Sequence, residues 1–291
     1  MKRIVISFII IALLSIAGCT ETSQTPSPKD LQSDFQKIMN EKTSPQELMD
    51  FANNHISVLP KESASRLVLR LESIQREQIE ARTDTLLKPD TQTALQQFDF
   101  NSSLDEMIAS ARDEKLLVIL KETKANGFKI IPLEGNYYPI IDYEQYQIYQ
   151  PYVNEDIKAY IDIAASESTQ ACLNDAAMTI TWPELARRAL RSEKFITQYP
   201  DSARIDDVRQ QHDIYVTTYL YGANNTPAFD YDTKILNQKA RQSYYETAKS
   251  SGQIAEVIKQ YLTVLEKNQY KRTPEVEQYL KDAEKTLQST K

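Results

Sequence analysis

Two histidines, a mid-chain cysteine and many carboxylates are the groups whose types could do chemistry, and their spacing decides which chemistry. A helical zinc site asks for two histidines one turn apart, or a histidine beside a cysteine pair. His55 and His212 have no such companion. His212 falls in step with Val208, Tyr215 and Tyr219 and reads as a packed face residue. Asp230 and Asp232 hint at a calcium loop, but the required glycine and distal bidentate glutamate are missing, so a polar interhelical loop is expected. No Gly-x-Ser-x-Gly elbow, Ser-x-x-Lys set or glycine-rich phosphate loop occurs. Cys172 reads as a small buried hydrophobe. The residues therefore predict no catalytic group, no metal and no cofactor. A hydrolytic carboxylate pair stays open, because such a pair is defined in space.

The compositional anomaly is tyrosine. Of 17 tyrosines, seven lie between Tyr137 and Tyr160. A phenol offers a flat apolar ring with a polar tip, suited to gripping a glycan or an extended peptide. Tyr137, Tyr138, Tyr143 and Tyr146, with Asp142 for hydrogen bonding, form the candidate binding set. The competing reading has these rings sealing a hairpin onto helices.

The elements that must position these groups are mostly helices. Ser44-Pro45-Gln46-Glu47, Ser103-Leu104-Asp105-Glu106 and Thr181-Trp182-Pro183-Glu184 read as capping boxes, and Thr273-Pro274-Glu275 opens a last helix. Leu67, Leu71 and Ile74 mark a helix over about 61–83, and Ile254, Val257, Ile258, Tyr261, Leu262 and Leu265 form another stripe. Only five glycines occur, too few for most sandwiches, barrels and doubly wound sheets. One segment differs: 128–133 and 137–142 read as extended runs about a turn at Glu134-Gly135-Asn136, a hairpin at a domain junction or inserted into one body. Pro132 and Pro139 each threaten a ladder hydrogen bond, so that hairpin should be short or at an edge. The expected fold is mainly α, with stacked helical hairpins in an irregular solenoid-like array and a short β-hairpin near 128–142. Helical regions are expected over 31–126 and 151–291, flanking a tyrosine-rich hairpin linker at 127–150.

The amino terminus carries a different chemistry. Lys2 and Arg3 precede a short apolar run from Ile4, the layout of a secretory signal. It is short for a membrane span, which takes about 20 apolar residues. Ile16-Ala17-Gly18-Cys19 then resembles the lipobox of bacterial lipoprotein precursors. The resemblance implies cleavage between Gly18 and Cys19 and a diacylglyceryl group on the Cys19 sulfur, leaving 1–18 as signal peptide. Two acyl chains give stable anchoring where one gives marginal binding. Residues 19–30, rich in hydroxyls and proline, read as a tether, with a reach of about 15–20 Å. In a two-membrane envelope, the resemblance implies that Thr20 rather than aspartate after the lipid cysteine would permit sorting to the outer membrane. A second, local likeness lies at Phe195-Ile196-Thr197-Gln198-Tyr199-Pro200-Asp201-Ser202, which resembles the helix junction of tetratricopeptide-type proteins, with Pro-Asp-Ser starting the next helix.

Loss of residues 1–18 removes Lys2 and Arg3 and takes the formal charge from −7 to −9. That acidity argues against a nucleic-acid partner. Together these readings predict a lipoprotein held by Cys19 on the extracytoplasmic side of a bacterial membrane. Its expected role is a non-enzymatic binding or scaffolding module for an envelope protein or cell-wall polymer. The alternative is a cell-wall glycan or peptide hydrolase.

Overall fold

A computed structural model describes residues 28–288. The lipidation and cleavage positions, Cys19 and Gly18, and most of the expected tether lie outside them. The chain divides into an N-terminal unit ending at Glu41 and a body from Lys42 to Lys291. In the first unit, α1 (Pro28–Asn40) has Asp30 in its first turn and Lys37 in its last, the order a helix dipole favours. Helix thus begins inside the segment expected to be tether.

The body is mainly helical, as expected, with a small hairpin embedded in it. Its first part holds α2 (Pro45–His55), a 3₁₀ turn (Ile56–Val58), α3 (Lys61–Leu86), α4 (Pro89–Leu95), α5 (Leu104–Ser110) and α6 (Glu114–Ala125). The hairpin is β1 (Phe128–Leu133) and β2 (Asn136–Ile141), followed by a tyrosine-rich 3₁₀ turn (Gln145–Tyr152) and α7 (Glu155–Thr169). Two miniature ladders, β3 (Leu173–Asn174) with β4 (Ala177–Met178) and β5 (Gly222–Ala223) with β6 (Thr226–Pro227), bracket α8 (Trp182–Gln198) and α9 (Ile205–Tyr221). The chain ends with α10 (Gln238–Thr247), α11 (Gln253–Lys267) and α12 (Pro274–Leu287).

Ser44 and Ser103 complete both bonds of a capping box. Thr181 makes only its half, accepting from the Glu184 N–H at 3.3 Å. The Glu184 carboxylate is instead recruited by Arg187 and Arg188, at 2.5 and 2.9 Å. Charge-assisted pairing outcompetes a neutral backbone donor there. At the 195–202 junction the rings of Phe195 and Tyr199 lie 5.3 Å apart and α9 begins at Ile205, after a turn in which the Ser202 hydroxyl donates to Asp156 at 2.8 Å and accepts from Arg204 N–H at 3.3 Å.

α8 and α9 run antiparallel, as the pairings Trp182–Tyr219 and Ser192–His212 require. α11 and α12 do the same through Tyr261–Tyr279 and Lys267–Glu275. Their shared core gathers Trp182, Tyr219, Tyr244, Tyr261 and Leu265. A second core joins Leu86, Leu95, Met107, Leu120, Ile130 and Tyr137 around the hairpin.

The hairpin carries both prolines without losing a rung, and the reason is register. Glu134 and Gly135 form a two-residue loop with both φ positive, 50° and 79°, matching a type I′ turn. Asp142 N–H donates to Gly127 C=O at 3.0 Å, so the 127–142 pair is hydrogen-bonded. Antiparallel pairs alternate, which puts Ile130–Pro139 and Pro132–Tyr137 at non-hydrogen-bonded positions. There the missing N–H would have pointed outward, so the ladder runs through six residue pairs. At the outer edge of β2, the Gln92 amide accepts from Tyr137 N–H and donates to Tyr137 C=O, both at 2.9 Å.

Candidate functional site

The site grows from α3. Its apolar stripe of Leu67, Val68, Leu71 and Ile74 is interrupted by Glu72 and Gln75, both essentially without solvent exposure. A buried carboxylate must be matched by donors or it costs several kcal/mol. Glu72 Oε1 accepts from the hydroxyls of Tyr143 and Tyr160, each at 2.5 Å, and from Arg76 Nη2 at 2.7 Å and Nε at 3.1 Å. Glu72 Oε2 pairs with Arg204 Nη2 at 2.7 Å. Asp207 completes the cluster, accepting from Arg76 Nη1 at 2.7 Å and lying 3.5 Å from Arg204. Burial works against the Arg76 charge, but the Asp207 hydrogen bond and its anionic neighbours outweigh this and hold it firmly protonated. Burial, reinforced by Glu72, raises Tyr143 and Tyr160 well above an ordinary phenol, keeping both as donors.

Gln75 serves the same packing. It accepts from the Tyr146 hydroxyl and donates to Asn126 C=O at 2.8 Å. Gly127, at φ +73°, makes this possible, since a Cβ there would stand 2.4 Å from Gln75 Nε2. Tyr149 reaches Asn53 at 3.0 Å.

Beside this network lies a groove of about 560 Å³, within the range of small-molecule sites. Ile79 of α3, Ile131 and Ile140 of the hairpin, Ile163 and Ala164 of α7 and Ile214 of α9 form its walls. Arg76, Asp207 and Glu167 are its charged lining. Glu167 is also fully engaged: it accepts from Tyr215 and Arg188, each at 2.8 Å, and from Cys172 N–H at 2.7 Å. Burial and the Glu167 charge push the Cys172 thiol up to about 12, which removes its nucleophilic form.

A second cavity of about 870 Å³ sits where the two miniature ladders meet α8 and α10. Many of its polar groups hold loops in place. Asp230 Oδ1 accepts from the N–H groups of Asp232 and Thr233, at 3.1 and 2.7 Å, and Asn237 caps α10. Asp230 thus folds the loop between β6 and α10 onto its own carboxylate. Among the described residues no cluster of His, Cys, Asp or Glu could hold a metal, and no helix is long and apolar enough to cross a membrane.

The candidate tyrosines divide. Tyr137 is buried, its ring stacked on Phe100 and its hydroxyl 3.1 Å from Phe98 C=O. Tyr146 is buried against Gln75. These two seal the hairpin onto helices and offer no surface to a ligand, which corrects the binding role expected of them. Asp142 caps the following turn through Glu144 N–H and Gln145 and lies 3.5 Å from Lys129. Tyr138 is half-buried opposite Ile131. Of the set, Tyr143 alone lines the groove. Glu72, Arg76, Arg204 and Asp207 escaped sequence reasoning. The available signal was Glu72 and Gln75 sitting one turn beyond Val68 and Leu71, where the stripe demands apolar residues. No known protein family, no curated protein and no solved structure matches this chain.

Proposed function

We propose that the chain is a lipid-anchored extracytoplasmic protein, held by acylated Cys19, whose body is a non-enzymatic binding module with its site at the α3–hairpin–α7–α9 groove. One observation carries the reading: each carboxylate lining or flooring the groove is committed to hydrogen bonds within the protein. Glu72 and Asp207 are held by two guanidiniums, and Glu167 by Arg188, Tyr215 and the Cys172 amide. A general acid or base must exchange protons with substrate. Carboxylates spent this way serve to fix the shape of an apolar slot. Two measurements test the halves of this proposal. Metabolic fatty-acid labelling is expected on wild-type chain and absent from Cys19→Ser; unlabelled wild type overturns the anchor. Purified full-length chain is expected to release no soluble fragments from isolated cell wall; release abolished by Asp207→Asn or Glu167→Gln would establish the hydrolase instead.

A further inference from the structure

We propose that the groove holds the aliphatic chain of a free long-chain fatty acid, with the carboxylate left at the solvent-facing, charged end; this rests on reading the groove as a binding site. The walls are branched aliphatics from four elements: Ile79, Ile131, Ile140, Ile163 and Ile214, with Ala164 leaving space between them. Charge balance sets the polarity of the occupant. Glu72 and Asp207 are matched by Arg76 and Arg204, and Glu167 by Arg188. A charged group drawn into the groove would find no spare counter-charge, so the part that enters is neutral and apolar. Hydrogen-bond capacity then disfavours a peptide added as a strand along β2. β2, which contributes Pro139, Ile140 and Ile141 to the groove, has few donors and acceptors left along its outer edge. Gln92 takes both groups of Tyr137, Pro139 has no N–H, and the Ser168 hydroxyl lies 3.3 Å from Ile141 C=O. An extended peptide docking by strand addition needs those groups free, whereas an aliphatic chain needs none. The head group is limited in the same way. Of the five N–H donors of Arg76, four are spent on Glu72, Tyr160 and Asp207. One spare donor suits one oxygen of a solvated carboxylate and is too little for a phosphate, which presents several acceptors.

The test uses the full chain in nanodiscs, a diazirine-bearing palmitic acid as photoprobe, and mapping of the adducts by mass spectrometry. Adducts are expected on the segments around Ile79, Ile140 and Ile163, displaced by palmitate. Ala164→Trp, which fills the slot, and Ile140→Asp, which charges its hairpin wall, are each expected to lower labelling at least tenfold. Ile148→Asp, at an exposed site outside the groove, should leave it unchanged. Melting curves establish that each variant is folded, and Ile140→Asp decides if Ala164→Trp is not. Labelling absent from the groove, or equal in both variants and wild type, overturns the proposal, as does displacement by lysophosphatidylcholine but not by palmitate. A photocrosslinker placed at Ile140 separates this failure from failure of the binding-site reading. Capture of a second copy, or of one defined partner in stoichiometric yield, without fatty-acid labelling sinks the fatty acid and keeps a binding site. Neither label nor capture removes both.

Discussion

Two tyrosine clusters hold this body together by opposite means. Around α3, Tyr143, Tyr146, Tyr149 and Tyr160 each send a hydroxyl across a long stretch of sequence to a carboxylate or amide: Glu72, Gln75 or Asn53. In the C-terminal core, Trp182, Tyr219, Tyr244, Tyr261 and Tyr279 pack chiefly on one another. Tyr219 and Tyr244 meet edge to face at 5.0 Å and 87°, and Tyr261 and Tyr279 stack at 5.4 Å and 4°. The hydroxyls of these four tyrosines go to Ser243, Thr247 or backbone carbonyls, except that of Tyr261, which has no partner among the described residues. Burial pushes both Tyr149 and Tyr219 up to about 12, so phenols in both clusters remain protonated donors. The difference lies in what the rings are for. In the first cluster the phenol is a donor taken up by the Glu72 carboxylate or by a side-chain amide; in the second it is a large apolar plate that also carries a hydroxyl.

The comparison breaks most sharply at Glu72. Replacing one member of a buried ion network leaves uncompensated charge and costs about 3–5 kcal/mol. Glu72→Gln keeps the shape but removes the charge that Arg76 and Arg204 face. Loss of about 3 kcal/mol or more in urea unfolding is expected, with Tyr160→Phe costing about 1.5–3 kcal/mol as a lost bond to a charged acceptor. A Glu72→Gln variant within 1 kcal/mol of wild type would mean the two clusters do not differ as described.

The unequal legibility of the two clusters follows from the same distinction. The C-terminal helices could be read because their apolar residues recur at helical spacing: the stripe from Ile254 to Leu265 is the buried face of α11. The caps at Ser44 and Ser103 were equally local. The groove network was hidden because its members, Glu72, Tyr143, Tyr160 and Arg204, come from separate elements, and only the fold brings them together. Local pattern also misjudged the hairpin prolines, whose cost depends on whether a pair is hydrogen-bonded, a property of register. The β3–β4 ladder escaped local pattern because its turn at Asp175 and Ala176, with φ of 46° and 56°, is made without glycine.

A smaller effect tests the C-terminal core by pH. His212 is buried between α8 and α12, with Nδ1 2.9 Å from Ser192 Oγ and Nε2 3.1 Å from Leu287 C=O. Nε2 donates to the Leu287 carbonyl, which can only accept, while at Nδ1 a neutral ring competes with the Ala189 C=O, 2.8 Å from Ser192 Oγ, for the single Ser192 hydroxyl proton. Burial lowers its pKa, only partly opposed by the Leu287 carbonyl, Asp213, Glu193 and the Ala189 carbonyl. The unfolded chain therefore takes up the proton first as pH falls. The stability His212 contributes is whole above its ordinary value of 6.5 and is lost as pH drops from there through the lowered folded value. The lowered carboxylates Glu144 and Glu184 act in a separate window, below about 4.5. Melting temperature is expected to fall on acidification through the histidine window, and this slope should flatten in His212→Gln. An unchanged slope in that variant would remove His212 as its source.

The smallest effect has the opposite sign, and for that reason separates the clusters most cleanly. Tyr261 is fully buried, and its hydroxyl has no hydrogen-bond partner among the described residues. Burying such a group costs free energy that the stacked ring offsets. Tyr261→Phe removes the unpaired hydroxyl and keeps the ring on Tyr279 and Tyr244. Stability is expected to stay level or rise by up to about 1 kcal/mol, where the same substitution at Tyr160 lowers it. The two variants differ by one oxygen atom each, so contrasting results in one urea series would isolate what that oxygen touches. A loss above 1 kcal/mol for Tyr261→Phe would show that its hydroxyl is bonded, and that the C-terminal cluster relies on its hydroxyls much as the first one does.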